Sequence, residues 1–473
     1  MLSLLVLLPL LGIIILNLPL GHVMRRSAFV FAFGLFLIQI ALAIFHYPGL
    51  LSSRLYVVKT FFNADFAFDH LSFIVLLSIG IVSLTSLVVG RYTIQNDNDR
   101  FNFINLLIIA SIGMCGVVMV RDIFSLYVFL EVTAVSAFIL IAFEKQKPAL
   151  EGAFKYILMS AIATIMMLSA IALILLATGG MSFDTIRQAI FSSSNSFIVK
   201  LAVGLFVCGL FIKGGLVPFH GWLPDAYSQA PAAVSVLLAG IITKVSGIYT
   251  LIRLVTAVFG FTEGIKGALL LIGIVSMLFG AFAALTQNNF KRMLAYSSIS
   301  QVGYIIAGLG TGVALGVIGA IFHFFNHAIF KSLLFVNAAA VEKQTGTIDM
   351  DKLGGLSERM PVTGATSLIG FLSTSGIPPL AGFWSKLMII IALWMSGHRA
   401  YAVIAILTSV LTLAYLLTMQ RKVFFGKLAD SFKNIKEVEA GFAAAAIVLA
   451  LLTIGVGVFF PLVFNFYLKA FIR

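Results

Sequence analysis

Apolar residues run along this chain in stretches of about twenty, parted by short polar segments, which is the spacing of helices that cross a bilayer. The runs lie near residues 1–20, 27–46, 70–90, 103–120, 123–143, 152–178, 197–223, 231–257, 264–286, 294–311, 313–341, 361–396, 400–419 and 440–468. The pattern predicts an all-α polytopic membrane protein with about fourteen crossings. The first run follows Met1 with no basic segment and no small-residue cleavage pattern, so it counts as a span. Residues 47–69 form one of the longer non-spanning connections, and their β-branched and aromatic content predicts a short surface hairpin.

Two runs are interrupted. The seventh reads FIKGGLVPFHGWLPDAY over 211–227, with Pro218 inside it, and the twelfth reads STSGIPPLAGFWSK over 373–386, with Gly376, Pro378 and Pro379. Proline removes a backbone donor and clashes with the preceding turn, freeing carbonyls that hydrocarbon cannot satisfy. Two broken helices five spans apart, each with a lysine close to its break, are the mark of an internally duplicated transporter. The chain then divides into residues 1–100 with spans one to three, 101–260 with spans four to eight, 261–425 with spans nine to thirteen, and 426–473 with the last. Five-helix units in tandem are inverted relative to one another, because an odd number of crossings ends on the opposite side. A lone proline kink has a plainer origin in bundle packing; a matched pair with lysines favours transport.

Composition agrees with the pattern: 61% of the 473 residues are hydrophobic and 10% charged. The net charge of +13 is spread through short loops and not gathered on one amphipathic face, which excludes nucleic acid as a partner. Loops after odd-numbered spans hold about seventeen basic side chains and those after even-numbered spans about ten, which places both termini outside and the odd-numbered loops in the cytoplasm. The two cysteines, Cys115 and Cys208, build neither a disulfide framework nor an iron–sulfur motif, so redox chemistry belongs to a partner and no cofactor is implied.

Charge inside the spans is the candidate chemistry. Lys213, Lys244, Lys331 and Lys386 each lie in a run otherwise fit to cross a bilayer, where an ammonium costs roughly 3 kcal/mol or more. Glu131 is the acid the pattern places deep in a span, and beside Lys213 it can ionise. At about 5 Å and an effective dielectric near 20, such a pair gains roughly 3 kcal/mol. Closing and opening it makes a switch, with Lys244 as the next acceptor and histidines relaying to Lys386 as the exit. His323 and His327, four residues apart, share one helix face. With no carboxylate or third imidazole nearby, a relay or packing role fits better than a metal.

The stretches FIKGGLVPFHGWLPDAYSQAPAAVSVLLAGIITKVSGIY (211–249), NNFKRMLAYSSISQVGY (288–304) and FHFFNHAIFKSLLF (322–335) resemble the proton-translocating antiporter-like subunits shared by respiratory complex I, Mrp-type sodium/proton antiporters and membrane-bound hydrogenases. The resemblance implies fourteen helices with inverted five-helix repeats, in a non-redox subunit of a larger assembly in a prokaryotic cell membrane. Residue by residue, Glu131 matches that family's fifth-helix glutamate, Lys213 the lysine of its broken seventh helix and Lys244 the central lysine of its eighth. His323, His327 and Lys331 match the polar face of its eleventh helix, and Lys386 the charged residue of its broken twelfth, where some relatives carry glutamate. Lysine at that place and the short C-terminus fit an Mrp-type or hydrogenase-type subunit slightly better than one of complex I. The implied partners are other membrane subunits, lipid, protons and, less readily, sodium, since ammonium groups offer a hard cation no oxygen ligands.

Plainer roles stand beside these. Glu131 and Lys213 also read as a static pair that specifies packing. Lys331 extends the histidine face, where relay and water-anchoring fit equally. His220 and Asp225 suit a polar tip reaching for the interface as well as proton entry. At the level of the whole chain, the alternatives to a partner-driven proton pump are a structural membrane subunit, a stand-alone antiporter and a bicarbonate-uptake subunit.

Overall fold

A computed structural model describes residues 4–18, 22–52, 56–59, 65–192 and 197–469. Helices dominate because a backbone surrounded by hydrocarbon must satisfy its own hydrogen bonds. In chain order they are α1 (Leu4–Leu16), α2 (His22–Ser52), α3 (His70–Thr93), α4 (Asp97–Met119), α5 (Ile123–Ile141), α6 (Lys147–Thr178), α7 (Phe183–Ser192), α8 (Phe197–Lys213), α9 (Leu223–Gln229) and α10 (Ala232–Phe259). There follow α11 (Glu263–Leu285), α12 (Phe290–Gly310), α13 (Ala314–Thr345), α14 (Pro361–Ser375), α15 (Ala381–Met395), α16 (Arg399–Val423) and α17 (Ala440–Val458). Ten of the described helices are long and apolar enough to cross a membrane, and α1 and α15 are shorter apolar helices.

The predicted hairpin forms within residues 47–69. Strand β1 (Tyr56–Lys59) pairs antiparallel with β2 (Asp65–Phe68), Tyr56 opposite Phe68 and Lys59 opposite Asp65. It is less superficial than expected: Phe66, Ala67 and Phe68 are buried, and Phe66 bridges to Val120 at the end of α4. Asp69 then caps α3 by accepting from the Ser72 amide at 2.8 Å, the usual service of an aspartate at a helix start. A short amphipathic helix, α7, lies in the connection between the sixth and seventh apolar runs.

Helices α3, α10 and α13 pack together at the centre, α10 and α13 almost wholly enclosed and α3 mostly so, while α2, α6, α16 and α17 turn much of their apolar surface outward. Contacts between connections fall into two sets. At one end Arg25 reaches Asn98, Lys155 reaches Asp225, Lys343 reaches Glu439 and Lys422 reaches Asp351, all in loops after odd-numbered runs. At the other, Arg121 pairs with Asp184 and Arg253 with Asp69.

Candidate functional site

The two interruptions are built alike. Helix α8 ends at Lys213, earlier than Pro218 alone would dictate, because Gly215 takes a left-handed φ of 65°. The Leu216 amide then bonds back to the Phe211 carbonyl at 3.1 Å, a six-to-one closure that satisfies a carbonyl the helix end would leave free. Helix α14 stops the same way: Gly376 has φ 84° and the Ile377 amide bonds to the Leu372 carbonyl at 3.0 Å. Pro218 and Pro379 each lie three residues beyond their glycine, Pro379 preceded by Pro378, and both proline peptide bonds are cis.

The lysines do not follow that correspondence. Lys213 lies two residues before Gly215, on the first half-helix, whereas Lys386 lies ten after Gly376, on the second half-helix α15. Helical side chains lean toward their own N-terminus, so the Lys386 stem reaches back against Gly376 while Lys213 leans away from its break. The expectation of lysines at matching places therefore holds for nearness to the breaks but not for the half-helix that carries them.

Lys213 is directed at α5 and α6. Its Nζ donates to Glu131 Oε1 at 3.0 Å and to Ser160 Oγ at 3.3 Å, and Thr164 donates to the same carboxylate oxygen at 2.8 Å. The amine side chain is 3% exposed and the carboxylate 28%, so Glu131, midway along α5, is open on one flank while Lys213 is enclosed. The predicted pair thus forms, with Ser160 and Thr164 as partners that no sequence cue marks.

Behind it runs α10, which contains π-helical turns over Leu238–Ile242, Lys244–Tyr249 and Val255–Phe259. Gly247 packs its Cα against the Gly214 backbone, an approach that any side chain would block, and so holds the α8 break against the Lys244 turn. Lys244 is 1% exposed and donates to the Ala239 carbonyl. On α13, Lys331 donates to Ser297 Oγ at 2.6 Å and to the Leu294 carbonyl at 3.3 Å. Gly240 of α10 packs against Ser332 of α13, next in sequence to Lys331, so the helices that carry the two lysines touch here.

His323 and His327 stack with ring centroids 6.2 Å apart, neither nitrogen of His327 having a partner among the described residues. His323 Nδ1 lies 2.8 Å from Ser385 Oγ, beside Lys386 in sequence. The Lys386 amine makes no hydrogen bond among the described residues and sits 4.6 Å from the Tyr304 ring centroid, whose face attracts a cation. Tyr304 in turn lies 6.0 Å from His323. The sequence-selected residues therefore gather as one pair, Glu131–Lys213, and one polar core of Lys244, Lys331, His327, His323 and Lys386. The contacts that join members of this core are the stacked imidazoles, the bond of His323 to Ser385 and the Tyr304 ring between Lys386 and His323.

Other ionic clusters lie at the ends of the helices. The buried Arg253 forms a two-armed pair with the half-buried Asp69 and donates to Ser72 Oγ at 3.0 Å and, through Nε, to the Tyr249 hydroxyl oxygen at 3.0 Å. Burial alone would raise the Asp69 carboxyl, yet the Arg253 guanidinium and the Ser72 bonds hold it well below the usual carboxylate range. Asp225 binds Lys155 at 2.7 Å and also Arg292, while His220 stacks edge-on to Phe279 with its Nδ1 free among the described residues.

Residues 120–412 match the family described as NADH:quinone oxidoreductase/Mrp antiporter, TM. A Na(+)/H(+) antiporter subunit of Alkalihalophilus pseudofirmus is 32% identical over 409 residues, covering 86% of this chain and 83% of that protein. An NADH-quinone oxidoreductase subunit of Desulforudis audaxviator is 32% identical over 355 residues, 74% of this chain and 71% of that one. Among solved structures, a chain of the membrane-bound sulfane sulfur reductase, an archaeal respiratory membrane complex, superposes with a TM-score of 0.88 at 27% identity over 99% of this chain and 96% of its own. A chain of the Mrp complex from a Dietzia species superposes with a TM-score of 0.92 at 24% identity, covering 99% and 96%, a likeness of fold.

Proposed function

This chain belongs to the NADH:quinone oxidoreductase/Mrp antiporter family, and from that premise we propose that it is an antiporter-like membrane subunit which moves protons across the bilayer for a larger complex. The observation that carries the reading is four lysines inside the apolar runs that are no more than 4% exposed, Lys213, Lys244, Lys331 and Lys386, of which only Lys213 bonds a carboxylate among the described residues. Unpaired amines at such depth are costly, and continuity of the polar core from Lys244 through His327 and His323 to Lys386 gives that cost a purpose.

In this mechanism Glu131 and Lys213 form the switch. While closed at 3.0 Å the pair holds its charges; when it opens, the proton passes to Lys244 and onward by His327, Lys331 and His323 to Lys386. The breaks at Pro218 and at Pro378–Pro379 supply half-helix ends beside the two outer lysines, where irregular backbone is tolerated because it faces polar groups. The matching glycine closures at Gly215 and Gly376 support two related five-helix units, residues 101–260 and 261–425, inverted within about fourteen crossings, with 1–100 and 426–473 at the flanks. The loop-charge bias supports termini outside a prokaryotic cell membrane. Energy for the cycle comes from a redox or antiport partner among the complex's other membrane subunits.

The test is Lys244→Ala in the intact native complex reconstituted into vesicles. Normal assembly with lost proton translocation is expected. Wild-type translocation refutes the pump, and a complex that fails to assemble in this variant and in Lys386→Ala favours a structural role for these charges.

A further inference from the structure

Buried polar side chains continue past Lys331 in a direction that the relay to Lys386 does not use. Lys331 bonds Ser297 Oγ, and Ser297 lies 2.7 Å from the Tyr415 hydroxyl on α16. Tyr415 is 2% exposed, and beside it Gln301 bonds Thr412 at 3.4 Å while its own Oε1 has no partner among the described residues. Five residues along α16, about 7.5 Å toward the loops that follow odd-numbered runs, Gln420 accepts from Ser367 Oγ at 3.0 Å and donates to the Gly364 carbonyl at 3.4 Å.

Next to them Thr366 bonds Asn337 Oδ1 at 3.0 Å, and the Asn337 amide nitrogen is a second buried atom without a partner among the described residues. The row ends at Glu437, which is half-buried in the segment between α16 and α17. Its carboxylate accepts from the Val362 amide at 2.8 Å, the Thr363 amide at 3.1 Å and the Thr363 hydroxyl at 2.5 Å.

Capping explains Glu437 but nothing else in the row. Ser297, Ser367 and Gln420 are fully enclosed between α12, α14 and α16, where leucine or alanine would pack without the cost of burying polar groups. Two orphaned amide atoms, Gln301 Oε1 beside Thr412 and Asn337 Nδ2 beside Thr366, are what bound water satisfies along such a row.

We propose that this row is a second proton access route, running from Glu437 at the loop surface through Thr363, Ser367, Gln420, Tyr415 and Ser297 to Lys331. A proton taken from bulk water by the Glu437 carboxylate passes along hydroxyls and intervening water, each oxygen accepting one proton and releasing another, and ends on the Lys331 nitrogen once that amine has given its own proton to the core. The central polar core is then fed at its middle as well as from the Glu131–Lys213 switch. This inference rests on the proton-translocation reading above.

The test uses the intact complex in sealed vesicles, with Lys244→Ala as reference. Gln420→Leu, which keeps the volume and removes the bridge, is expected to assemble and to lower translocation about tenfold, the change that a barrier rise of about 1.4 kcal/mol produces. Wild-type translocation by Gln420→Leu alongside loss in Lys244→Ala overturns the route and leaves the pump standing; wild-type rates in both overturn the pump itself. Independently of whether that variant folds, Ser367→Cys, with Cys115 and Cys208 changed to serine, is expected to react with a small membrane-impermeant thiol reagent from the Glu437 side alone. No reaction from that side overturns the route.

Discussion

Glu131→Gln removes one charge from the switch while keeping an oxygen for Thr164 and Lys213 to meet. At 3.0 Å and an effective dielectric near 20, the pair's attraction is about 5.5 kcal/mol. Because 28% of the carboxylate side chain is open to its surroundings, roughly half of that survives screening, about 3 kcal/mol. Spread over the equilibrium between closed and open arrangements, that is a loss of about 100-fold in closed pairs. If translocation needs the closed pair in each cycle, the rate falls by a similar factor. Thr164→Val, which deletes one hydrogen bond to an ionised partner worth about 1.5 kcal/mol, should cost about tenfold. Ser160→Ala should cost less, since its contact is 3.3 Å long. The assay is uptake of a pH-sensitive dye signal by vesicles holding the intact complex, driven by its native partner. Wild-type rates in Glu131→Gln, or a larger effect from Ser160→Ala than from Glu131→Gln, would refute the switch.

Arg253→Leu strands the Asp69 carboxylate and should destabilise the chain by about 3–5 kcal/mol, seen as a lowered thermal midpoint in detergent, with much of it recovered in the Arg253→Leu/Asp69→Asn double variant. Since the folded state holds Asp69 below its unfolded range near 4, the stability this pair contributes is complete above about pH 4 and declines as pH falls toward the lower folded value; acid titration of unfolding in wild type but not in the double variant measures it. Gly247→Val forces α10 away from the Gly214 backbone and should cost about 1–3 kcal/mol together with translocation, whereas a surface variant such as Lys343→Ala should change stability by less than about 1 kcal/mol; thermal unfolding of the two side by side checks both.

Much of this was legible in the chain. Hydropathy located the long helices because a run of twenty apolar residues matches the thickness of a bilayer's hydrocarbon core, and prolines inside two of those runs located both interruptions. The Glu131–Lys213 pair was legible because few charges compete for partners inside the spans. What escaped notice depended on contacts far apart in sequence: Asp69 and Arg253 are 184 residues apart, and only packing of α3 against α10 makes them neighbours. Tyr304 beneath Lys386 and the row from Ser297 to Glu437 escaped for a related reason, since isolated hydroxyl residues in apolar helices carry no periodic signal. The side of the break on which a lysine sits was readable by counting from Gly215 and Gly376, but its direction needed the lean of helical side chains.

The enclosure of α10 bears on how the polypeptide is made. This segment carries Lys244 and Arg253, and neighbouring helices cover nearly all of its surface. Released alone from the ribosome-bound insertion machinery, it would present both cations to acyl chains without the Asp69 carboxylate and the covering helices that later enclose them. Arg253's counter-ion, Asp69, is translated long before it, so α3 must wait in place as a receptor, and biogenesis of the core has to proceed by adding α10 to a partly gathered bundle and not by independent insertion of each crossing.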